Sequence, residues 1–496
     1  MDTNVRRTAE GASPGTMVVK PFIDGRFVES GSPATIEVVN PSNGRPFLRI
    51  PAGSDRDVDA AVGAARRAST DERWSALPVR KRALQKLADL LATQSASLDV
   101  LDAEEMGKPV SLAVANAAAA GALTRFYAEA VDKGVGDVYP GDRHCYVSQR
   151  RVPRGVVGAI VPWNFPAYNA MLKVAPALAA GNCVVLKPSE LSSRSALRIA
   201  QLALEAGIPE GVLNVVPGLG ATVGRALGLH PGVDMIAFTG STHTGKQMLQ
   251  YAGQSNMKVV LAECGGKSPQ IVFDDEIDLD VVSESIASLL VTNQGQICSV
   301  GSRLLVQRSI ETELVRKIAA RLSKIRVGDA CHPETTFGPL ASQRQCERVM
   351  RYIESAKQDG LELVTGGQRT LQESGGFYVE PTIFRDVPPG SALAQEEIFG
   401  PILAVIPFDS QDDAVRIANG TSFGLAAYVW TSRVSRGLDV AKSLQSSVWV
   451  NAAAPRGEGP GHAASFEPFG QSGMGAEGGM AGMESYQRRQ LIWINH

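Results

Sequence analysis

The stretch from residue 155 to 275 constrains the fold more than any other part of the chain. Six short apolar runs (VVGAIVPWN, NCVVLKPS, VLNVVPG, MIAFTGS, VVLAECGG and QIVFDD) end at turns. The helical segments AYNAMLKVAPALAAG, SRSALRIAQLALEAG and THTGKQMLQYAG lie between them. Apolar runs with no polar face must be buried on both sides. Strands joined through helices lie parallel, so this alternation predicts β-α-β units in a covered parallel sheet. A second alternating block runs from about 280 to 450, with strands RLLVQ, LELVTGG, PILAVIPF, AAYVWT and SVWVN. A single core stops growing near roughly 250–300 residues. A chain of 496 residues therefore divides into two α/β domains, with no flexible linker between them.

The flanking segments read differently. Residues 1–16 are small, polar and aperiodic, which predicts a disordered tail. PFIDGRFVES and TIEVVNPSNGRPF carry Asp-Gly and Asn-Gly turns between alternating residues, the mark of hairpins. Residues 57–133 read as helices: DVDAAVGAARRA, RKRALQKLADLLATQSASLDVLDAEEMG and SLAVANAAAAGALTRFYAEAVDKG. Asp137 to Arg154 predicts a β-hairpin leaving the main body. The terminal ESYQRRQLIWINH alternates like an edge strand seeking a partner chain. Residues 452–467 (AAAPRGEGPGHAASFE) predict a long loop.

Several function classes fall away. Lys plus Arg is 49 against 51 for Asp plus Glu, so the basic excess of a nucleic-acid footprint is missing. The six cysteines at 145, 183, 264, 298, 331 and 346 form no CxxC pair and no Cys/His ligand spacing, so no metal site is expected. Such usage suits a reducing compartment. Arg6-Arg7 is not followed by an apolar stretch, and the longest small-apolar run, Leu112 to Leu123, is too short for a bilayer. A cytoplasmic protein with no membrane partner is expected.

Gly240 to Gln247 nearly matches the phosphate loop GxxxxGK(S/T), but Gln247 stands where a magnesium-binding hydroxyl is needed. A glycine-rich turn between strand and helix explains it equally, and a dinucleotide pyrophosphate would suit that helix N-terminus. Gly218-Leu-Gly220-Ala-Thr-Val-Gly224 has its third glycine one residue late for GxGxxG and is weak alone. Cys298 is bracketed by Gly295 and Gly301, where a thiol can be exposed and activated; an inert buried cysteine is the plainer reading. Glu263 ends an apolar run before Gly265-Gly266. Burial there would raise its pKa toward general-base range, while a salt bridge to Lys258 or Lys267 is the structural alternative. Asn164 ends another run, at the strand edge where α/β proteins bind ligands, and its amide can donate to an oxyanion. Lys187-Pro-Ser-Glu190 ends the next, with a cation and a carboxylate suited to ribose hydroxyls; turn chemistry alone would also account for both segments.

Together these segments resemble the NAD(P)-dependent aldehyde dehydrogenase superfamily. The matches are PWNFP at 162–166, LKPSE at 186–190, FTGST at 238–242, ECGGKSP at 263–269, GQICSVGSR at 295–303, EEIFGPI at 396–402, VWVN at 448–451 and PFG at 468–470. They are collinear and span the chain from about residue 20 to its end.

The resemblance implies two Rossmann-like α/β domains plus a small β oligomerisation flap. The NAD-binding domain would take 17–134 and 153–266, the catalytic domain 267–468, and the oligomerisation segments 135–152 and 478–496. It implies a homodimer or homotetramer. Cys298 is the implied nucleophile, Asn164 the oxyanion donor and Glu263 the base that hydrolyses a thioester; Lys173 and Glu477 match proton-relay positions. Implied NAD contacts are Pro162, Trp163, Lys187, Ser189, Glu190, Gly220, Gly224, Phe238, Gly240, Ser241, Glu397 and Phe399. A carboxylate at Glu190 repels a 2′-phosphate and so favours NAD over NADP. Phe165, Asn169, Leu172, Ile297, Ser299 and Phe469 match positions lining the aldehyde tunnel, and Leu172 in place of an aromatic implies a roomier one.

Three features depart from the family pattern. Cys264 replaces a leucine, placing a second thiol that could form a disulfide with Cys298. The 452–467 loop is longer than usual and is expected near the substrate entrance. PFG runs directly into QSGMGAEGG, lacking about three residues including a lysine, with Ala476 in place of an arginine. Other readings are a CoA-acylating dehydrogenase, against which Glu263 speaks, a thiol hydrolase, for which no histidine base is recognisable, and a non-enzymatic protein on this fold.

Overall fold

The computed structural model describes residues 7–8, 17–452 and 461–495. Five parallel strands form the first sheet: β1 (Val156–Ile160), β2 (Cys183–Lys187), β3 (Leu213–Val215), β4 (Met235–Thr239) and β5 (Val259–Glu263). Their order across the sheet is β5-β4-β1-β2-β3, with the hairpin at 22–27 added beyond β3 and Gly473–Met474 beyond β5. The second sheet is built from β6 (Pro269–Val272), β7 (Arg303–Gln307), β8 (Thr382–Arg385), β9 (Ile402–Phe408), β10 (Ala426–Trp430) and β11 (Ser447–Val450). These six are also parallel, in the order β8-β9-β7-β6-β10-β11, with Glu362–Thr365 antiparallel at the β8 edge. Both sheets are covered by helices, as uninterrupted apolar strands require; β1, β2 and β10 are buried at every position.

A third, small sheet stands apart. Cys145–Pro153 pairs along its whole length with Gln487–Asn495, from Cys145↔Asn495 to Pro153↔Gln487, and Asp137–Tyr139 completes it. The C-terminal strand thus finds its first partner within its own chain and leaves one edge free, with Leu491, Trp493 and Ile494 exposed. In the segment expected to be a disordered tail, Arg7–Thr8 pairs antiparallel with Thr35–Ile36; the rest of that tail lies outside the described residues. Among the described residues no helix is long and apolar enough to cross a membrane, and no group of three or more His, Cys, Asp or Glu is placed to hold a metal.

Two helix boundaries differ from the sequence reading. The long helix expected from Arg80 is two, Leu77–Thr93 and α1 (Ser95–Met106), broken at Gln94. The next, α2 (Ala117–Ala130), starts after its expected beginning, because the Asn116 side chain accepts from Ala119 N and fixes the N-terminus there.

Helix α1 aligns three others. Its carboxylates at 99, 102 and 105 recur one turn apart and so share a face. Asp99 accepts from Ala117 N at the start of α2 (3.2 Å) and pairs with buried Lys108 (3.0 Å). Asp102 accepts from Ala167 N in the first turn of α3 (Pro166–Ala179). Glu105 accepts from Ser193 N and Arg194 N at the start of α4 (Arg194–Glu205). Each carboxylate takes up N–H groups that a helix start cannot satisfy itself. Helix α3 follows Asn164 and α4 follows Lys187–Glu190, so α1 sets the register of both candidate segments. Burial pushes Glu105 up to about 8. A raised carboxyl pKa stabilises the fold at low pH, and that contribution is lost as pH rises from the ordinary carboxylate range through about 8. A Glu105→Gln chain should therefore lose less melting temperature than the parent between about pH 5 and pH 8. Equal slopes in thermal scans at fixed ionic strength would contradict this.

Candidate active site

The candidate residues converge because one sheet begins where the other ends. Strand β5 closes at Glu263 and β6 opens at Pro269, with only residues 264–268 between. Asn164 and Glu263 come from the C-terminal edge of the first sheet, and Cys298 from the segment leading into β7 at the N-terminal edge of the second.

Asn164 is fastened to the turn before Cys298 by two hydrogen bonds and to Asn169 of α3 by a third. Its Nδ2 donates to Gln296 O (3.0 Å), its Oδ1 accepts from Asn169 Nδ2 (3.0 Å) and its carbonyl accepts from Asn293 Nδ2 (2.7 Å). That turn is strained. After α6 (Leu279–Val291), Asn293, Gln294 and Gly295 have φ of 48°, 56° and 69° in succession. Left-handed non-glycine residues cost about 1–3 kcal/mol each and persist where surrounding contacts impose them. Here Gln296 Nε2 donates to Asn293 O (3.2 Å) while its Oε1 accepts from Ala341 N (3.0 Å). On the far side of Cys298, the Tyr428 hydroxyl donates to Ser299 O (2.9 Å), and its ring stacks on Trp449 at 5.6 Å. The half-buried thiol is thus clamped from both flanks.

The Gly265-Gly266 pair allows this approach. A Cβ on Gly266 would stand 2.6 Å from the Cys298 carbonyl oxygen, and one on Gly265 would run into the Glu397 carboxylate. Gly266 N instead donates to Glu397 Oε1 (3.2 Å).

Burial dominates the electrostatics. Burial first, then the Glu397 and Glu263 carboxylates, push the Cys298 thiol up to about 12, so the loop does not by itself activate it as expected from its glycines. Glu263 is 5 % exposed, and its Oε1 has no partner. Desolvation and then the nearby Glu477 carboxylate raise its pKa well above the ordinary range, with Lys173 opposing. Neither proposed salt bridge forms: Lys258 Nζ donates to Gly228 O and Ser255 Oγ (3.0 Å), and no bond joins Lys267 to Glu263. Lys173 and Glu477, both buried, form an ion pair. Burial raises Glu397 to about 7. The second thiol, Cys264, points elsewhere. Its Sγ fills the space beside Gly245 of α5 (Thr242–Gln254), 2.6 Å from where a Cβ would stand, and Cys264 and Cys298 are both free.

The dinucleotide candidates gather at one edge. β1 and β4 are neighbours, but the chain leaves them in opposite directions, to β2 and to β5; such a switch point opens a crevice at the strand C-termini. Pro162 and Trp163 follow β1, and the Trp163 ring meets Phe399 edge-to-face at 5.3 Å. Buried Lys187 donates to Pro188 O (2.8 Å) and lies 3.5 Å from Glu190 Oε2; Ser189 Oγ accepts from Leu191 N (3.2 Å). Phe238 is buried in β4, Gly240 N donates to Glu263 O (3.0 Å), and the Ser241 hydroxyl caps α5 by accepting from Thr244 N (3.3 Å). Gly224 rests on the Lys187 stem, and nothing lies within 4 Å of a Cβ built on Gly220. An open glycine, a helix N-terminus and a Lys–Glu pair at a switch point form a donor set that fits a dinucleotide. The near phosphate loop at Gly240–Gln247 is a strand-to-helix turn whose Lys246 Nζ donates to Gln471 Oε1 (3.1 Å).

Of the tunnel candidates, Phe165 and Asn169 are buried beside Asn164, and Leu172 is half-buried on α3. Ile297 packs with Val300, Tyr428 and Trp449, and Ser299 presents the carbonyl that Tyr428 holds. Phe469 is half-exposed where residues 469–470 pair with Phe423–Gly424. The shortened segment after PFG still bridges the sheets: Ser472 O accepts from Cys264 N (2.8 Å) and its Oγ from Gly424 N (3.0 Å). The described part of the 452–467 loop, 461–467, packs on the Glu477 segment, with Phe466 paired to Glu477 and Gly479 N donating to His462 O (3.1 Å). Residues 453–460 lie outside the described residues. Sequence reasoning did not single out Asn293, Gln296, Tyr428 and Trp449; Gln296 and Trp449 lie within GQICSVGSR and VWVN, Asn293 just before the first, and Tyr428 in the apolar run AAYVWT.

The family model described as "Aldehyde dehydrogenase family" matches residues 27–492, and the chain belongs to that family. It is 41% identical to the NADP/NAD-dependent aldehyde dehydrogenase PuuC of Escherichia coli, over 96% of this chain and 95% of that one. The crystal structure of the aldehyde dehydrogenase KauB from Pseudomonas aeruginosa superposes with a TM-score of 0.93 at 44% identity, covering 96% of this chain and 97% of that one. An indole-3-acetaldehyde dehydrogenase solved with NAD+ gives 0.93 at 43% identity, over 97% and 98% of the two chains.

Gly266→Ala tests the packing at the sheet junction. The added methyl should displace the Cys298 carbonyl and lower kcat at least about 100-fold, with a drop in melting temperature that matches an overpacking cost of about 1–3 kcal/mol. Steady-state rates within a few-fold of the parent would show that the approach is not needed.

Proposed function

We propose that the chain oxidises an aldehyde to a carboxylic acid with NAD as hydride acceptor, using Cys298, Asn164 and Glu263. The carrying observation is that the Asn164 amide is bound to the carbonyl two residues before Cys298. One Nδ2 hydrogen is given to Gln296 O, and the second remains for an oxyanion.

The resting thiol is protonated, so attack begins with loss of its proton to Glu263, a carboxyl of raised basicity whose field reaches the sulfur. The thiolate adds to the aldehyde carbon, forming the S–C bond. The oxyanion rests on Asn164 Nδ2 and the Cys298 N–H. NAD, when bound, supplies the acceptor for the hydrogen and electron pair that leave that carbon, and the oxyanion collapses to a thioester on Cys298. Glu263, ionised again, takes a proton from water. The hydroxide adds to the thioester carbon, the C–S bond breaks, and the acid departs. Lys187, Ser189 and Glu190 would hold the adenosine ribose, Gly240 and Ser241 the pyrophosphate, and Glu397 and Phe399 the nicotinamide side. Lys173 and Glu477 would carry the proton away from Glu263. The unpaired edge of Gln487–Asn495, with exposed Leu491 and Trp493, supports assembly as a homodimer or homotetramer. The six free cysteines fit a cytoplasmic setting.

With aldehyde and NAD but no CoA, NADH absorbance should rise, and Cys298→Ala should abolish the rise; reduction of NAD by that variant would remove Cys298 from the mechanism. Glu263→Gln should give one NADH per site and then stall, and unchanged steady turnover would dismiss it as the base. Glu190→Gln should narrow the NAD-over-NADP ratio of kcat/KM about tenfold, the equivalent of ~1.4 kcal/mol. An unaltered ratio would show that Glu190 does not read the ribose.

A further inference from the structure

Behind Glu263 the protein buries more polar chemistry than the reaction above uses. Tyr127 projects from α2, and Tyr486 follows the helix α7 (Gly479–Ser485) that leads away from Glu477. Both are essentially sealed from solvent, at 0 % and 2 % exposure, and neither hydroxyl has a partner. Glu263 Oε1 is the third buried oxygen left unsatisfied here.

Both tyrosines neighbour the segment that carries Glu477. The Tyr127 hydroxyl lies 3.2 Å from where a Cβ on Gly482 would stand, and that same point is 3.1 Å from the Glu477 carbonyl carbon. Burial first, then the Glu477 charge, raises the pKa of both tyrosines, and Tyr127 and Glu263 add to the rise at Tyr486. The backbone around Tyr486 is pinned: its carbonyl accepts from Asn182 Nδ2 (3.0 Å) and Arg154 N (3.3 Å). A buried oxygen left unpaired costs about 1–3 kcal/mol, and buried water commonly satisfies such groups with about three hydrogen bonds each. Three buried orphans in the neighbourhood of Glu477 are groups that ordered water can satisfy.

We infer that Tyr127 and Tyr486 are positioning residues for Glu263: their hydroxyls hold water that hydrogen-bonds the Glu263 carboxylate and links it to Lys173–Glu477. The inference rests on the proposed role of Glu263 as base. Both tyrosines stay protonated through the working range, because burial raises them, so they act as fixed donors. Donors aimed through water at a carboxylate favour its ionised form. The other charged or titratable groups facing Glu263 are Lys173 on α3, Glu477 ahead of α7, and the Cys264 and Cys298 thiols. Only the tyrosines can be altered by one oxygen without changing a charge.

Tyr486→Phe and Tyr127→Phe keep the rings and remove only the hydroxyls. Thioester decay, followed by acid quench after a single turnover, should slow about 3- to 10-fold at pH 7. Its acid limb should move up by about one pH unit. The NADH burst rate and the NAD dissociation constant should stay at parental values. Parental decay rates and an unmoved limb in both variants would overturn the inference, as would a loss confined to the burst. Glu263→Gln run alongside separates the two readings. If that variant turns over normally, the base assignment fails whatever the tyrosines do. If it stalls while both phenylalanine variants behave as the parent, only the tyrosine inference fails.

Discussion

The contact between Gly266 and the Cys298 carbonyl is the constraint on which the rest of the site depends. Two parallel sheets could meet in many ways, but a junction of residues 264–268 leaves no slack. The backbone after β5 passes the nucleophile at a distance no side chain permits. Once that approach is imposed, the remaining geometry follows. Asn164, at the end of β1, is brought to the turn before Cys298, and Glu263 ends β5 beside it. Glu397, in the segment leading into β9 of the second sheet, accepts from the amide of Gly266. The strained turn at 293–295 is the counterpart: a relaxed turn would not bring Gln296 O to the Asn164 amide.

Close packing also explains the acid–base properties. Desolvation, and then the carboxylates nearby, keep the resting Cys298 thiol neutral. A thiolate is the form that metals and oxidants attack, and a thiol held protonated is less reactive toward them. The same desolvation raises Glu263, where it is useful, because a carboxylate of ordinary pKa takes protons poorly at neutral pH. One physical cause therefore keeps the Cys298 thiol protonated and raises the basicity of Glu263. Cys264 sits under α5 rather than beside Cys298, so the extra thiol does not put a disulfide at the centre.

Much of this was legible in the chain. The runs VVGAIVPWN through QIVFDD became β1 to β6 because uninterrupted apolar strands have few alternatives to a doubly covered sheet. Asn164, Lys187 and Glu263 stood out as polar residues ending apolar runs, and the strand C-termini put them in one crevice. What was not legible depended on contacts distant in sequence. Asn293 and Gln296 read as ordinary loop residues until the turn bends them onto Asn164. Tyr428 sits in an apolar strand and shows its hydroxyl only where Ser299 arrives. The break at Gln94 and the late start at Asn116 are local competitions between a cap and a continuing helix, which periodicity alone does not decide. The 452–467 loop was expected near the substrate entrance, and its residues 461–467 pack on the Glu477 segment.

That last difference bears on the chemistry. A family pattern with three residues removed after PFG would be expected to slacken the crossover between the sheets. Instead Ser472 bonds both, to Cys264 N and to Gly424 N, and Gly473–Met474 continues the first sheet as a strand against Ala262–Glu263. That pairing extends the ladder on the strand that ends at Glu263. Upstream, Phe466 pairs with Glu477. The two pairings thus act on the buried carboxylates Glu263 and Glu477: the first braces Glu263, and the second covers the segment that carries Glu477. A buried ion pair beside a carboxylate of raised pKa is sensitive to any single hydrogen bond, because little bulk solvent is present to screen its loss.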